Sequence, residues 1–161
     1  MKISIFSALV FAAAVVSAQE ASTSLDTSQT VRNVHGKPVP LKAVLANPTV
    51  LVYYPGGCGS CDGVLQELKE ATKGLGKLGH QAVAVSSDSP EDLAKTAKRL
   101  SFPASALFSD AEMAVADALK VSFNAGGGAP YVFLIGSDGN VQSVSHDLAA
   151  TIRSVKAPPT P

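Results

Sequence analysis

The sequence contains no tryptophan and has only two cysteines among its 161 residues, Cys58 and Cys61. It also lacks a charge bias, because thirteen Lys and Arg residues balance thirteen Asp and Glu residues. A balanced chain does not have the basic patch typical of nucleic-acid binding or of attraction to a membrane surface. A chain near ~150 residues buries roughly two-thirds of the surface of its unfolded state. The composition therefore predicts one domain with a full core and no nucleic-acid partner.

The N-terminal apolar run has the features of a secretion signal. Lys2 precedes this run, and residues 16–18 (VSA) form a small-residue cleavage pattern. The run is shorter than the ~20 residues that a membrane-spanning helix needs. We therefore expect a signal peptide over 1–18, with an uncleaved anchor as the alternative. Cleavage predicts a periplasmic or secreted protein without stable membrane insertion.

Strand and helix signals alternate along the rest of the chain. Short apolar runs predict strands at 49–54, 81–87, 106–110, 131–135 and 141–145, with two β-prone pieces around Gly36 and Lys37. Helical spacing of apolar residues falls at about 58–78, 90–100, 113–118 and 147–156. Ser89 as a cap residue and Pro90 at the first helical position predict the start of the second of these helices. Such alternation, closed by an Asp-Gly hairpin turn, predicts an α/β fold with parallel strand pairs and an antiparallel edge.

Polar segments bound this alternating region. Residues 19–30 are polar and without periodicity, which predicts a flexible lead-in, and the proline-rich residues 157–161 predict a disordered tail. The domain itself is predicted over 31–156.

The two cysteines lie in PGGCGSCDG at 55–63, and three interpretations of the pair are open. A structural zinc site needs four ligands, whereas the three histidines, His35, His80 and His146, are scattered along the chain. A structural disulfide that encloses two residues constrains the unfolded chain very little. Neither a metal nor a cofactor is predicted. The third interpretation is a redox-active pair.

The position of the pair favours the redox interpretation. It follows a predicted strand and lies in the first turn of a predicted helix, where the helix dipole stabilises a thiolate. Cys58 follows two glycines and should be exposed, whereas Cys61 lies on the apolar stripe of the helix and should be buried. Cys58 would then attack a substrate disulfide, and Cys61 would resolve the mixed disulfide.

Three segments resemble the redoxin branch of the thioredoxin fold, which includes exported thioredoxin-like reductases and the alkyl hydroperoxide reductase or thiol-specific antioxidant superfamily. They are VRNVHGKPVPLKAVLANPTVLVYYPGGCGSC, VAVSSDSPEDLAKTAKRLSFPASALFSDAEMAVADALKV and APYVFLIGSDGNV. The resemblance covers residues 31–155 and implies a thioredoxin-like fold with a central mixed β-sheet flanked by helices.

The resemblance also implies roles for residues near the cysteines. Cys58 and Cys61 match the nucleophilic and resolving cysteines, and Pro130 matches the cis-proline that faces such a pair. Ala129 would offer its backbone to an extended substrate peptide. Gly57, directly before Cys58, is the third predicted substrate-binding residue. On sequence grounds alone, Pro130 is equally consistent with an ordinary strand-start proline.

The sequence departs from thioredoxins proper in two positions. Those proteins carry a Trp before the first cysteine and a buried Asp beneath the pair, where this chain has Gly57 and Val52. The deprotonation of Cys61 therefore needs another base or water.

It departs from two further groups of the same fold. Peroxiredoxins place Thr or Ser three residues before the reactive cysteine, where this chain has Pro55, and an Arg in a later strand. The three arginines of the chain all lie outside the predicted strand at 131–135; they are Arg32, Arg99 and Arg153. Copper-delivery proteins place a His near that strand, whereas His146 follows the hairpin.

The sequence therefore predicts an exported thiol-disulfide oxidoreductase that cycles Cys58 and Cys61 between dithiol and disulfide. The expected partners are protein or small-molecule disulfides and a thiol electron donor or acceptor, and the expected state is a monomer. The alternatives are a peroxiredoxin-like thiol peroxidase with antioxidant activity that uses Cys58, and a thioredoxin-fold binding or metal-delivery module.

Overall fold

The computed structural model describes residues 24–123 and 128–156. The strands in these ranges are β1 Thr30–Asn33, β2 Pro38–Pro40, β3 Thr49–Tyr54, β4 Gln81–Ser86, β5 Leu107–Ser109, β6 Tyr131–Ile135 and β7 Val141–Ser145. The α-helices are α1 Leu41–Val44, α2 Asp62–Lys77, α3 Pro90–Leu100, α4 Ala114–Ala118 and α5 Leu148–Lys156. No helix in this part of the chain is long and apolar enough to cross a membrane. The predicted signal peptide and C-terminal tail lie outside the described residues.

The strands form one mixed sheet in the order β2-β1-β5-β4-β3-β6-β7. The central pairs β3–β4 and β4–β5 are parallel, and the β6–β7 hairpin is antiparallel at one edge. Antiparallel pairing also joins β6 to β3 and β1 to β5. The sheet confirms the predicted α/β arrangement with parallel pairs and an antiparallel edge.

Every residue of β3 is buried, because helices cover both faces of the sheet. Val50, Val52 and Tyr54 pack in the core formed with α2, α3 and α5, whereas Leu51 and Tyr53 pack in the core formed with α1 and α4. Fully burying a Val or Leu side chain contributes about 1.5–3 kcal/mol. The strand is therefore a rigid support for the loop that follows it, which carries the cysteines.

The helices begin and end for identifiable reasons. Ser89 caps α3, since its hydroxyl oxygen accepts a hydrogen bond from the Asp92 N-H at 3.2 Å, and Pro90 occupies the first helical position as predicted. The glycines at 74 and 76 do not end α2, which continues to Lys77. Leu75 between them is fully buried, and this packing outweighs the low helix propensity of glycine.

Packed structure begins before the predicted domain start at 31. Leu25, within the predicted lead-in, is buried, and its N-H donates a 2.9 Å hydrogen bond to the Gly139 carbonyl. The carbonyl of Gln29 accepts from the Leu41 N-H at 2.8 Å. Residues 24–30 therefore join the hairpin turn and α1 to the rest of the fold.

Candidate active site

The cysteine pair lies between the end of β3 and the start of α2. Pro55, Gly56 and Gly57 lead from the strand to Cys58, and a 3₁₀ turn at Gly59–Cys61 precedes α2. The predicted helix therefore begins later than Cys58. Tight 3₁₀ turns are common at helix N-termini, and here the Cys61 N-H donates to the Cys58 carbonyl at 3.2 Å.

The two cysteines form a disulfide with a Cα–Cα distance of 5.4 Å. Cys61 is 1% exposed and packs among core residues, whereas Cys58 is half-buried at the surface. The predicted difference in exposure is confirmed. An external thiol can reach Cys58, and Cys61 is placed to react only within the protein.

Two side chains hold the loop before Cys58 against the loop between β4 and α3. The Gly56 N-H donates to Ser87 Oγ at 2.8 Å, and the Gly57 N-H donates to Asp88 Oδ1 at 2.8 Å. A Cβ atom on Gly56 would lie 2.9 Å from Asp88 Oδ1, so only glycine allows this approach. Gly57 has a φ of 71°, a left-handed conformation that glycine adopts freely.

Asp88 is itself fixed by several hydrogen bonds. The Ser86 hydroxyl donates to Asp88 Oδ2 at 3.1 Å, and the Ser109 hydroxyl donates to the Asp88 carbonyl at 2.6 Å. Ser86 and Ser109 are buried and end the adjacent parallel strands β4 and β5. The position of Cys58, after β3, thus depends on polar groups at the ends of the two neighbouring strands β4 and β5.

Cys58 lies between two cavities. The first, of about 520 Å³, is lined by the loop from Pro55 to Ser60 and by Gly128 and Ala129. We call it the backbone cavity, because glycine is the most frequent residue among the described residues of its wall. Gly57, Cys58 and Ala129, all predicted from the sequence, thus face one space. Among the described residues, no charged side chain lines this cavity.

Pro130 lies beside this cavity and is half-buried. Since the described ranges contain no cis peptide bond, the Ala129–Pro130 bond is trans and the expectation of a cis-proline was wrong. The Pro130 carbonyl contacts His146 Nδ1 at 2.9 Å, and the His146 ring lies 4.4 Å from the Tyr131 ring. The hairpin therefore brings His146 into contact with Pro130, at the start of β6. The position of His146 after the hairpin in the sequence did not indicate this contact.

The second cavity, of about 340 Å³, lies on the other side of Cys58 between α2 and α3. We call it the charged cavity, because Asp62, Asp88, Asp92, Lys95 and Arg99 all line it. Its remaining wall is formed by Tyr54, Gly57, Cys58, Gly59, Leu65 and Thr96.

The charges of this cavity are mostly paired. Arg99 forms a two-pronged salt bridge with Asp62, the first residue of α2, and this contact lowers the pKa of the Asp62 carboxyl. Lys95 pairs with Asp92 at 2.7 Å and lowers the pKa of that carboxyl as well. An unpaired Asp62 carboxylate, adjacent in sequence to Cys61, would oppose a thiolate in the pair. Arg99 neutralises that charge.

Tyr54 forms the inner wall of the charged cavity. It is 2% exposed, and its hydroxyl makes no hydrogen bond within residues 24–123 and 128–156. Burial, followed by the negative charge of Asp88, raises the pKa of Tyr54 above its ordinary value. Val52, where thioredoxins carry an acid, is fully buried. The nearest polar side chain is that of Ser60, whose hydroxyl lies 3.5 Å from Cys58 Sγ. Tyr54 and Asp88 add polar groups from the wall of the charged cavity.

Sequence reasoning missed Tyr54, Asp88 and the Asp62–Arg99 salt bridge. A signal for Asp88 exists in SSDS at 86–89, which lies at the end of the predicted strand 81–87. Because parallel strands end at the same edge of a sheet, polar residues after β4 lie near the loop after β3. The salt bridge has no such signal, since its partners lie on different helices 37 residues apart.

Comparisons with known proteins bear on the family and the fold of the chain. The model of the AhpC/TSA family matches residues 22–144. None of the curated protein sequences matches the chain significantly.

Solved structures share the fold. Peroxidoxin BcpB from Mycobacterium tuberculosis is 24% identical, with 84% of this chain and 97% of that chain covered and a TM-score of 0.69. The bacterioferritin comigratory protein of Xanthomonas campestris is 18% identical, with 81% and 91% covered and a TM-score of 0.70. A thiol:disulfide interchange protein from Bacteroides sp. is 18% identical, with 84% and 88% covered and a TM-score of 0.67. These structures confirm the predicted thioredoxin-like fold.

Proposed function

Because the chain belongs to the AhpC/TSA family, we propose that its cysteine pair is a redox centre and that the protein is an exported thiol-disulfide oxidoreductase. The observation that carries this proposal is the asymmetry of the disulfide. Cys58 faces two cavities at the surface, and Cys61 lies 1% exposed behind it. A nucleophile and a resolving thiol need this arrangement.

The reaction transfers two electrons from the dithiol to a substrate disulfide. The Cys58 thiolate attacks one substrate sulfur, the substrate S–S bond breaks, and the first substrate thiolate leaves. Cys61, after losing its proton to solvent, attacks Cys58 Sγ and releases the second substrate thiolate. The Cys58–Cys61 disulfide forms, and the two substrate thiolates take up protons from solvent. A thiol donor reverses these steps and regenerates the dithiol.

The backbone cavity is the substrate site in this proposal. Its glycine-rich wall allows an extended chain to approach Cys58 closely, and Ala129 and Gly57 are part of that wall. Backbone hydrogen bonds of the strand-addition type are independent of side-chain identity. The site would therefore accept disulfides in unfolded or extended protein segments and in small peptides.

A thiol peroxidase that uses Cys58 is the second candidate. Arg99 favours it, because this arginine lines the charged cavity together with Cys58. However, Arg99 is held by Asp62, and Pro55 replaces the hydroxyl residue that peroxiredoxins carry three positions before the reactive cysteine. Disulfide exchange needs neither group. We therefore place peroxidase activity second and a binding module third.

Export provides the compartment for this activity. The N-terminal signal would deliver the protein to the periplasm or outside the cell, where disulfides form and persist. We propose that it acts there as a monomer, with thiol proteins or small thiols as redox partners.

A quenched time course distinguishes the two enzymes. The reduced protein receives stoichiometric oxidised glutathione or hydrogen peroxide, and the remaining thiols are counted by alkylation and intact mass. We expect rapid loss of two thiols with glutathione disulfide and reaction with peroxide no faster than that of an ordinary thiolate. Cys61→Ser should stop at a mixed disulfide on Cys58, and Cys58→Ser should not react. Rapid loss of both thiols with peroxide alone would instead establish the peroxidase.

A further inference from the structure

The Tyr54 hydroxyl is a buried polar group whose surroundings in the oxidised protein leave it without a partner. It is 2% exposed, makes no hydrogen bond within the described part of the chain, and shares the charged cavity with Cys58. The neighbouring Ser86 hydroxyl, which would lower the pKa of Tyr54 by donating to it, donates instead to Asp88 Oδ2 at 3.1 Å. Leaving a buried hydroxyl unsatisfied costs about 1–3 kcal/mol. A phenylalanine at this position would avoid that cost.

The chemistry of the neighbouring cysteine changes between redox states. In the disulfide, Cys58 is neutral and bonded to Cys61, and neutral sulfur is a weak hydrogen-bond acceptor. In the dithiol, Cys58 ionises to a thiolate. A hydrogen bond to a charged acceptor is about twice as strong as one between neutral groups. Reduction therefore creates, in the cavity that Tyr54 lines, the acceptor that its hydroxyl lacks.

We propose that the Tyr54 hydroxyl donates a hydrogen bond to the Cys58 thiolate in the reduced protein and thereby favours the dithiol over the disulfide. The inference rests on the proposed function, since it concerns the same cysteine pair. When two glutathione molecules reduce the disulfide, they supply two electrons and leave as glutathione disulfide. Cys58 then releases its proton to solvent, and Tyr54 keeps its own.

Tyr54 is suited to donate rather than to accept a proton. Burial and the Asp88 carboxylate raise its pKa, so the hydroxyl stays protonated throughout the range in which a cysteine ionises. The charged groups around it come from α2, from the β4–α3 loop and from α3. They are Asp62, Asp88, Asp92, Lys95 and Arg99. Substitution of Tyr54 by Phe leaves all of these groups in place, so a change in Cys58 acidity would report the hydroxyl.

The test compares Tyr54→Phe with the matched control Tyr53→Phe. Tyr53 is the preceding buried tyrosine of β3, but it faces the other core and its hydroxyl donates to Asp110 Oδ2 at 2.8 Å. The pKa of Cys58 is measured in reduced protein from the ultraviolet absorbance of the thiolate. The fraction of disulfide is measured by alkylation in defined glutathione buffers.

We expect Tyr54→Phe to weaken thiolate formation about tenfold, which is about one unit in the pKa of Cys58. The dithiol-disulfide equilibrium should shift about tenfold toward disulfide above that pKa, and this shift should diminish at lower pH, where Cys58 is a neutral thiol. The oxidised protein should be as stable as the wild type or more stable. Tyr53→Phe should lower stability in both redox states and leave the Cys58 pKa unchanged.

The inference and the proposed function can fail separately. If wild-type protein does not exchange with glutathione, the proposed function is wrong. If wild-type protein exchanges normally and Tyr54→Phe has the wild-type Cys58 pKa, the role of Tyr54 is wrong and the function stands. An equal rise of the Cys58 pKa in Tyr53→Phe would also overturn the role, because that hydroxyl lies on the other face of the sheet.

Discussion

Substitution of Asp88 by alanine tests whether the β4–α3 loop holds the reactive cysteine in place. The side chain accepts from the Gly57 N-H at 2.8 Å and from the Ser86 hydroxyl at 3.1 Å. Hydrogen bonds to a charged group contribute about 1.5–3 kcal/mol each when buried. Gly57 is exposed, so water replaces part of the first bond, and the Ser86 hydroxyl still accepts from the backbone N-H of residue 88.

We therefore expect Asp88→Ala to lower the free energy of unfolding by about 2 kcal/mol, which is less than the sum of about 3–6 kcal/mol for two such bonds because these replacement contacts recover part of it. For a chain of this size, that loss corresponds to a fall in Tm of about 4–8 °C. The Gly56–Gly57 loop should also move more freely, which would slow the attack of Cys58 on glutathione disulfide. Urea unfolding of the oxidised protein and the thiol-loss time course measure the two effects.

Asp88→Asn is the matched control for this prediction. Its amide oxygen can still accept from the Gly57 N-H, and its amide group can donate to the Ser86 oxygen. It should therefore keep most of the stability and of the exchange rate. The reasoning is refuted if Asp88→Ala unfolds at the wild-type urea concentration, or if the asparagine variant loses as much stability as the alanine variant.

Two further predictions follow from the same site. Gly56→Ala should destabilise the oxidised protein by about 1–3 kcal/mol in urea unfolding, because the new Cβ would lie 2.9 Å from Asp88 Oδ1. The control Gly63→Ala, which has open space around its Cβ, should not be destabilised. Equal stability of the two variants would contradict the predicted clash. Arg99 lowers the pKa of Asp62 below its ordinary value of 3.8, so the folded state resists protonation of this carboxyl. The salt bridge therefore stabilises the fold fully above pH 3.8, and this stabilisation is lost as the pH falls through the lowered pKa. Arg99→Gln should therefore have a slightly lower Tm than the wild type near pH 7 and the same Tm at strongly acidic pH; a difference that persists there would show that the charge pair is not its cause.

The elements most strongly predicted from the sequence were those whose signals are local. The nearly continuous apolar run at 49–54 identified strand β3, and Ser89 and Pro90 identified the start of α3. The four-residue α1 has no comparable signal, and the burial of Leu25 depends on a hairpin turn far along the chain. Such features arise from packing between distant segments, which local periodicity does not encode.

The sequence by itself determined the chemistry of the centre. Two cysteines at this spacing, after a strand and before a helix, identified the pair that we propose to be reactive and predicted the difference in exposure between Cys58 and Cys61. Only the tertiary structure decided which groups surround them. Parallel pairing of β3 with β4 brings Asp88 to Gly57, and packing of α2 against α3 brings Arg99 to Asp62. The physical reason is that the residue type and the local backbone are set by nearby sequence. The electrostatic surroundings of the cysteines come from side chains that approach only when the sheet and helices pack.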